Sequence, residues 1–252
     1  MPETPKDRYF HLYPRVKFGL KHIYGYEVEG SENIPTEPAI LVANHIKAVD
    51  SLLMAAAFTE VTGSALRFGA KSQYFTGDGF RKKPLSGDEL APRMALQRSV
   101  MGRVAKWLVE STGQIPVVRG GTREDAERFF NNASAVIRRG DSLGIHAEGT
   151  RSPDGRLYKF RYGAAQVALR ETAPIVPVGL VYDDCYDFDA EINELFKKPK
   201  RTVIFGSPIY TADYKHIRGE SNRVRTMTND VEKAVAELTG QERAGVFAEI
   251  VS

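Results

Sequence analysis

A histidine and an aspartate five residues apart are the side chains of this sequence best suited to chemistry. His45 follows the apolar run Ala39–Ala43, and Asp50 begins a segment with helical periodicity. An imidazole that bonds a carboxylate through one ring nitrogen can accept an alcohol's proton on the other, as a general base does. Two interpretations stay open on this motif alone. The pair is a His–Asp dyad, or Asp50 caps its helix while His45 bonds locally.

A second group of polar residues, Glu148–Arg151, follows the apolar stretch Leu143–His146. Gly149 permits a backbone course that a side chain would obstruct, and the planar guanidinium of Arg151 suits a phosphate. The group therefore predicts an anion site. The alternative is that Arg151 only flanks an ordinary turn at Ser152–Gly155.

Two further segments combine apolar residues with proline. Residues Gly113–Arg119 read as a loop that enters a short strand and ends in an arginine. Residues Pro174–Gly179 read as an apolar strand, in which Pro177 cannot donate a ladder hydrogen bond. This strand is therefore expected at an edge of the sheet or at a local irregularity.

The elements that must position these residues alternate between strands and helices. The fold class expected from that order is a single α/β domain, with a mainly parallel or mixed central sheet flanked by helices. The strands are predicted at Tyr26–Glu29, Ala39–Ala43, Leu66–Ala70, Ile115–Val118, Leu143–His146, Ile175–Leu180 and Val203–Phe205. The helices are predicted at Tyr9–Tyr24, Asp50–Phe58, Pro92–Val109, Arg123–Arg139, Tyr162–Arg170 and Ser221–Leu238. Asp50 or Ser51 is expected to cap the second helix.

Residues 1–25 are predicted to form an N-terminal amphipathic helical segment, and residues 26–252 the main domain. The helix Tyr9–Tyr24 has an apolar stripe with basic residues beside it, which suits either a lipid headgroup layer or packing on the domain. The basic loop Arg81–Lys83 contacts an anionic bilayer, binds the phosphates of coenzyme A, or is simply solvated.

Composition excludes several classes of protein. A formal charge of +3 over 252 residues is too small for a nucleic-acid binder. The single cysteine, Cys185, cannot form an internal disulfide and favours a reducing cytoplasm. No apolar run is long enough to span a bilayer, and the N-terminus lacks the apolar core of a secretory signal. A Gly-x-Ser-x-Gly elbow, which an α/β-hydrolase would carry, is missing.

The order of four short blocks between Asn44 and Leu180 resembles one family. His-x4-Asp, Gly-x-x-Pro-Val-x-Arg, Glu-Gly-Thr-Arg-Ser and Val-Pro-Val-Gly follow one another as they do in the PlsC-like 1-acylglycerol-3-phosphate acyltransferases. The resemblance covers the central half of the chain. Two positions depart from the usual pattern: Lys47 stands where serine or threonine is common, and His146-Ala147 where Phe-Pro is common.

The resemblance implies a role for each matching residue. His45 would activate the acceptor hydroxyl for attack on an acyl thioester, and Asp50 would orient its ring. The acceptor phosphate would be held by Arg151 with Gly149 and Thr150, while Glu148 would stand at the edge of that site and position Arg151. Arg119 and Lys71 match further candidates for binding the acceptor. Transfer would be direct, with no covalent acyl-enzyme, no cofactor and no metal.

The implied partners are acyl-CoA or acyl-carrier protein as donor and lysophosphatidic acid or a related lysolipid as acceptor. An anionic membrane surface is a further expected partner. The protein is therefore expected in the cytoplasm, bound peripherally to the membrane. Alternatives are a glycerol-3-phosphate acyltransferase, an enzyme for another lysophospholipid, and a lipid-binding protein of the same fold without turnover.

Overall fold

The computed structural model describes residues 25–47, 49–76, 109–118, 121–183 and 200–249, together with a few isolated positions that include Tyr9 and Lys21. These residues contain a seven-stranded sheet in the order β1-β7-β6-β2-β5-β3-β4. Neighbouring strands are parallel except for the antiparallel pair β6 and β7. The strands are β1 Glu27–Glu29, β2 Ile40–Ala43, β3 Leu66–Lys71, β4 Ile115–Val117, β5 Ser142–His146, β6 Ile175–Tyr182 and β7 Arg201–Phe205.

Helices cover both faces of the sheet. They are α1 Asp50–Thr62, α2 Ser72–Thr76, α3 Arg123–Arg138, α4 Gly163–Glu171 and α5 Glu220–Thr239, with short 3-10 segments at Ser31–Asn33 and Thr211–Tyr214. The α/β architecture with a mainly parallel sheet, as predicted from the sequence, is confirmed. Most of the helix predicted at Pro92–Val109 lies outside the described residues, and the five positions that are described (102, 103, 106, 107 and 109) are helical.

Strand β2 forms the centre of the core, and all four of its residues are completely buried. Ile40 and Val42 face the layer of α3, α4 and α5. Leu41 and Ala43 face α1, where Leu53 and Met54 are also fully buried. Burial of each such leucine contributes about 1.5–3 kcal/mol, so the end of β2 is rigidly held.

The strand that contains Pro177 is not an edge strand, because β6 lies between β7 and β2. The local irregularity, which was the other expectation, is present. The pairing with the neighbouring segment shifts by one residue between Val178–Phe205 and the bridge Ile175–Ile209. Pro177 lies at this bulge and accepts a hydrogen bond from the Gly206 N–H at 2.8 Å, so its missing donor breaks no regular ladder.

Two residues of the predicted N-terminal helix are described. Tyr9 is buried, and its hydroxyl lies 3.0 Å from Thr59 Oγ1 on α1. Lys21 forms an ion pair with Glu60, also on α1. At these two positions the segment packs on the domain. The rest of the N-terminal segment lies outside the described residues.

Candidate active site

The site forms where β2 and β5 end side by side. The two strands are parallel, with Ala43 opposite His146 in register. His45 and Glu148, each two residues further along, therefore emerge at the same level of the sheet edge. The carboxyl ends of parallel strands are where open α/β sheets build their sites.

His45 and Asp50 form the dyad that the sequence predicts. The His45 Nδ1 atom lies 2.9 Å from Asp50 Oδ2. The same oxygen accepts hydrogen bonds from the N–H groups of Ile46 at 2.6 Å and Lys47 at 2.9 Å. The hydroxyl of Tyr182, at the end of β6, donates to Asp50 Oδ1. Four donors thus fix a carboxylate that is completely buried.

The predicted helix cap is wrong. The residue before α1 is Val49, and no side chain caps the helix. Asp50 is the first helical residue, and its carboxylate turns back to the loop after β2. Ser51 points elsewhere, with its hydroxyl 3.0 Å from His146 Nε2. The capping alternative therefore gives way to the dyad.

The electrostatics favour an ionised Asp50 carboxylate beside the His45 ring. Burial alone would raise the pKa of Asp50, but the hydrogen bond and electrostatic attraction of His45, followed by those of His146 and Tyr182, together lower this pKa below its usual value. An ionised carboxylate only accepts hydrogen bonds, so His45 Nδ1 carries the proton shared with it. In a neutral imidazole with its proton on Nδ1, Nε2 is the nitrogen that can accept a proton. The His45 side chain is 17% exposed, so the ring is partly accessible from solvent.

The main chain of His45 is held from both sides by the segment after β5. Its N–H donates to Glu148 Oε1 at 2.8 Å, and its carbonyl accepts from the Ser152 N–H at 2.7 Å. The second carboxylate oxygen of Glu148 accepts from the Tyr158 N–H at 2.9 Å. The Glu148 side chain therefore ties the base to the segment that carries Arg151.

Glu148 is a buried support for the His45 backbone, and its place at the edge of a phosphate site stays a prediction. Only 1% of its surface is exposed. Burial raises its pKa to about 7, although the two backbone donors partly oppose this shift. The pKa of this carboxyl therefore lies near neutral pH.

A second histidine stacks on the first. The ring centres of His45 and His146 lie 4.2 Å apart, with their planes inclined by 15°. Phe68 of β3 lies on His146 in turn, with the ring centres 5.9 Å apart. Space for that phenyl ring depends on Gly144, where an added Cβ would lie 2.4 Å from Phe68. Three strands thus contribute to one aromatic column that ends at His45.

Burial keeps His146 neutral, and its hydrogen bonds fix which nitrogen carries the proton. Its Nδ1 lies 2.8 Å from the Asn44 carbonyl oxygen, which can only accept, so Nδ1 carries the ring proton. Its Nε2 then accepts from the Ser51 hydroxyl. Burial, together with the charge of His45, lowers the pKa of His146 to about 3. His146 itself is therefore no proton carrier at neutral pH.

The residues implied in phosphate binding lie at the same sheet edge. Gly149, Thr150 and Arg151 follow β5 directly, and Arg151 precedes the Ser152 N–H that bonds His45. Lys71 is the last residue of β3, the neighbour of β5, and is half-buried. Arg119 lies outside the described residues. The fold thus brings Lys71 and the Glu148–Arg151 turn to one edge.

Two features require a glycine at position 149: its backbone conformation and the close approach of a neighbouring side chain. Its φ of 81° lies in the left-handed region. An added Cβ would stand 2.7 Å from Nε of Arg161, whose side chain crosses this turn. Arg161 is therefore a second arginine at the turn.

The unusual Lys47 is buried, with 4% exposure, and its ammonium lies 4.9 Å from the centre of the Tyr182 ring. Its backbone N–H belongs to the group that fixes Asp50. The buried side chain packs against the dyad's tyrosine, so it is placed to support the dyad.

The sequence did not assign roles to His146, Tyr182 or Arg161. His146 was visible only as a departure from the family pattern. Tyr182 ends a strand next to β2, but the hydrogen bond across 132 residues is not visible in any local spacing. Arg161 lies outside the four blocks. The available signal was position: polar residues at the carboxyl ends of neighbouring parallel strands lie close together, and His146 and Tyr182 each end a strand beside β2.

A metal is poorly suited to this cluster. His45, Asp50 and His146 offer ligand atoms that all lie within 4.8 Å of one another. Both Nδ1 atoms and the His146 Nε2 atom already have hydrogen-bond partners within the protein. The arrangement fits proton transfer.

Comparison with known proteins identifies the family. A model of the Acyltransferase family matches residues 25–83 and 85–181, well over half of the chain. The chain belongs to the Acyltransferase family. The matched region includes the dyad, Glu148 and Tyr158, and it ends beside Tyr182.

Several curated relatives carry one name. The chloroplastic 1-acyl-sn-glycerol-3-phosphate acyltransferase of Arabidopsis thaliana is 26% identical over 70% of this chain and 42% of its own length. The Bacillus subtilis enzyme of that name is 30% identical over 41% of this chain and 47% of its own. A probable enzyme of Mycoplasma pneumoniae is 25% identical over 96% of this chain and 82% of its own. The chain thus spans less than half of the plant relative.

A solved structure confirms the fold of this chain. The 1-acyl-sn-glycerophosphate acyltransferase PlsC of Thermotoga maritima superposes with a TM-score of 0.57 at 22% identity. The match covers 94% of this chain and 83% of that one. Within the described residues, no helix is both long and apolar enough to cross a membrane.

Proposed function

We propose that this protein transfers a fatty acyl group from an acyl thioester to the free hydroxyl of 1-acylglycerol-3-phosphate, with His45 as the general base. The observation that carries the proposal is the state of His45. Its Nδ1 is bound to a buried, ionised Asp50, while the ring remains partly exposed. The names of the curated relatives support the choice of acceptor.

The proton transfers balance without a cofactor. His45 Nε2 accepts the proton of the acceptor hydroxyl as its oxygen attacks the thioester carbonyl. Collapse of the tetrahedral intermediate forms the ester and breaks the carbon–sulfur bond. The imidazolium then returns the proton to the departing thiolate, and Asp50 stabilises the imidazolium in between. The donor is acyl-CoA or acyl-carrier protein, which share this thioester.

Arg151 is the proposed ligand of the acceptor phosphate. It lies one residue from Ser152, whose N–H bonds the His45 carbonyl, so a phosphate held there is tethered close to the base. Gly149 and Thr150 would contribute from the same turn, and Lys71 and Arg119 would add charge. Glu148 acts differently in this proposal, because it positions the backbone of His45.

The test is release of free CoA from palmitoyl-CoA, with and without lysophosphatidic acid. We expect acceptor-dependent release by the wild type and its loss in His45→Ala. His216→Ala is the matched control, because His216 is an exposed histidine beyond the 3-10 segment Thr211–Tyr214, and this variant should keep full activity.

Other outcomes would change the proposal. Near-normal turnover by His45→Ala would remove the general-base role. Release of CoA with glycerol-3-phosphate or another lysolipid, but not with lysophosphatidic acid, would keep the acyl-transfer chemistry and change the acceptor. Binding of lysolipid without transfer to any acceptor, from either thioester donor, would leave a lipid-binding protein with an idle site.

A further inference from the structure

A basic and aromatic surface lies directly beside the Glu148–Arg151 turn. It consists of five exposed residues that come from two segments: Lys159, Arg161, Tyr162, Val246 and Phe247. We call it the basic–aromatic patch. The two segments are joined, because the Lys159 N–H donates to the Val246 carbonyl at 2.9 Å and the Arg161 guanidinium lies 5.6 Å from the Phe247 ring centre.

The patch is fixed to the candidate site through Arg161. The Arg161 N–H donates to the Ala147 carbonyl at 2.8 Å, and its side chain crosses Gly149. Phe160, the residue between Lys159 and Arg161, faces inward and is only 2% exposed. Lys159 and Arg161 therefore stand on one outer face next to the turn that holds Arg151.

Several large apolar side chains of this patch are exposed to solvent, which is typical of a surface that contacts a membrane or another molecule. Val246 is 58% exposed, Phe247 47% and Tyr162 44%. Leu52, one residue beyond the Ser51 that bonds His146, is also exposed. Apolar and aromatic tips with cations beside them match the interface of an anionic bilayer, where aromatic rings sit at headgroup level and cations meet lipid phosphates.

We propose that the basic–aromatic patch docks on an anionic lipid bilayer and so places the mouth of the site against the surface that carries the acceptor. This inference rests on the proposed function for its purpose, but the docking itself can be measured without turnover. Lys159 and Arg161 supply the charge complementarity, although Glu249 follows Phe247 closely in the chain and reduces it. The patch shares no residue with the predicted N-terminal helix or with the loop Arg81–Lys83.

The test measures binding of the full chain to sedimentable vesicles. One set contains equal amounts of phosphatidylglycerol and phosphatidylcholine, and the other contains phosphatidylcholine alone. Val246→Asp and Phe247→Asp should each weaken binding to the anionic vesicles about tenfold or more, because each removes apolar contact and adds a repelled charge. Lys159→Ala should weaken it about fivefold and leave the neutral vesicles unaffected.

Two exposed apolar residues far from the site serve as matched controls. Tyr210 is 43% exposed and follows Ile209, which pairs with the first residue of β6, at the end of the sheet opposite Tyr182. Val61 lies near the carboxyl end of α1, whose amino end carries Asp50. Tyr210→Asp and Val61→Asp add the same charge and should bind anionic vesicles as the wild type does.

The outcomes separate docking from chemistry. We expect Phe247→Asp to keep turnover of a water-soluble short-chain lysophosphatidic acid while losing turnover of the same headgroup presented in vesicles. A wild type without turnover on either substrate would overturn the proposed function, and the vesicle result would still decide the docking. Equal vesicle binding by Phe247→Asp and wild type would overturn the patch as a bilayer surface. A change in the protein's own sedimentation, with vesicle binding unchanged, would assign the patch to self-association instead.

Discussion

The imidazole of His45 lies face to face with the imidazole of His146, with ring centres 4.2 Å apart and planes inclined by 15°. Hydrogen bonds to the Asn44 carbonyl and the Ser51 hydroxyl engage both nitrogens of His146, and burial lowers its pKa and keeps it neutral. A neutral aromatic face tolerates an imidazolium beside it, whereas a second cation would repel one. His146 thus holds the plane of the base without competing for its proton.

Replacement of His146 should separate stacking from hydrogen bonding. His146→Ala removes the ring and should lower kcat about tenfold with little effect on the acceptor KM, because a misplaced base costs rate rather than binding. His146→Phe keeps a ring and should retain most of the activity. The two variants need kcat and KM from the thioester assay. Equal losses in both would assign the effect to the hydrogen bonds with Asn44 and Ser51.

His146 should also make stability depend on pH. Its pKa falls from 6.5 in the unfolded chain to about 3 in the fold, so the unfolded state binds the proton first as pH drops. Its contribution is fully present above pH 6.5 and is lost progressively towards pH 3. Relative to His146→Phe, the wild type should therefore lose up to about 1.4 kcal/mol of unfolding free energy per pH unit below that point. Urea unfolding of both proteins at pH 7 and pH 5 measures this difference, and a pH-independent difference would contradict it.

Asp50→Asn should remove the charge that stabilises the imidazolium. An asparagine cannot replace a carboxylate that accepts from four donors, and its amide group can hold the wrong tautomer of His45. We expect kcat to fall about 10²- to 10⁴-fold. Tyr182→Phe removes one donor to the same carboxylate and should have a much smaller effect. A mild loss in Asp50→Asn would demote the aspartate to a structural role.

Glu148→Gln tests the backbone clamp on His45. The carboxylate accepts one N–H with each oxygen, whereas a glutamine offers one acceptor and turns its NH2 group towards the other N–H. The unsatisfied donor should cost about 1–3 kcal/mol of stability. Because the displaced backbone is that of the base, kcat should fall while the acceptor KM changes little. A selective rise in the acceptor KM would instead support the place of Glu148 in the phosphate site that the sequence predicts.

Arg151→Ala should raise the acceptor KM, because the side chain is proposed to hold the phosphate. The expected rise is about tenfold or more, as a charge-assisted hydrogen bond contributes about 1.5–3 kcal/mol. Arg156→Ala is the control. Arg156 is exposed in the same segment and already pairs with Asp154, so its loss should leave KM unchanged. An unchanged KM in Arg151→Ala would remove the phosphate role.

The elements of the core could be predicted from local patterns. The continuous apolar run at β2 and the helical periodicity of α3 and α5 identify buried segments, since period and burial are local properties. The position of Pro177 could not be settled in this way. A proline that lacks a ladder donor is compatible with an edge or a bulge, and only the pairing of β6 with both neighbours decides between them.

The sequence by itself determined the identities and spacing of the site residues. It placed His45, Asp50 and Arg151 after apolar strands and supplied an order of motifs found in one family. Only the tertiary structure decided that Glu148 holds the backbone of His45, that Tyr182 donates to Asp50, and that His146 stacks on the base. These contacts join residues that are about a hundred positions apart in the chain. They depend on which strands lie side by side, and that is fixed by the packing of the whole sheet rather than by any local pattern.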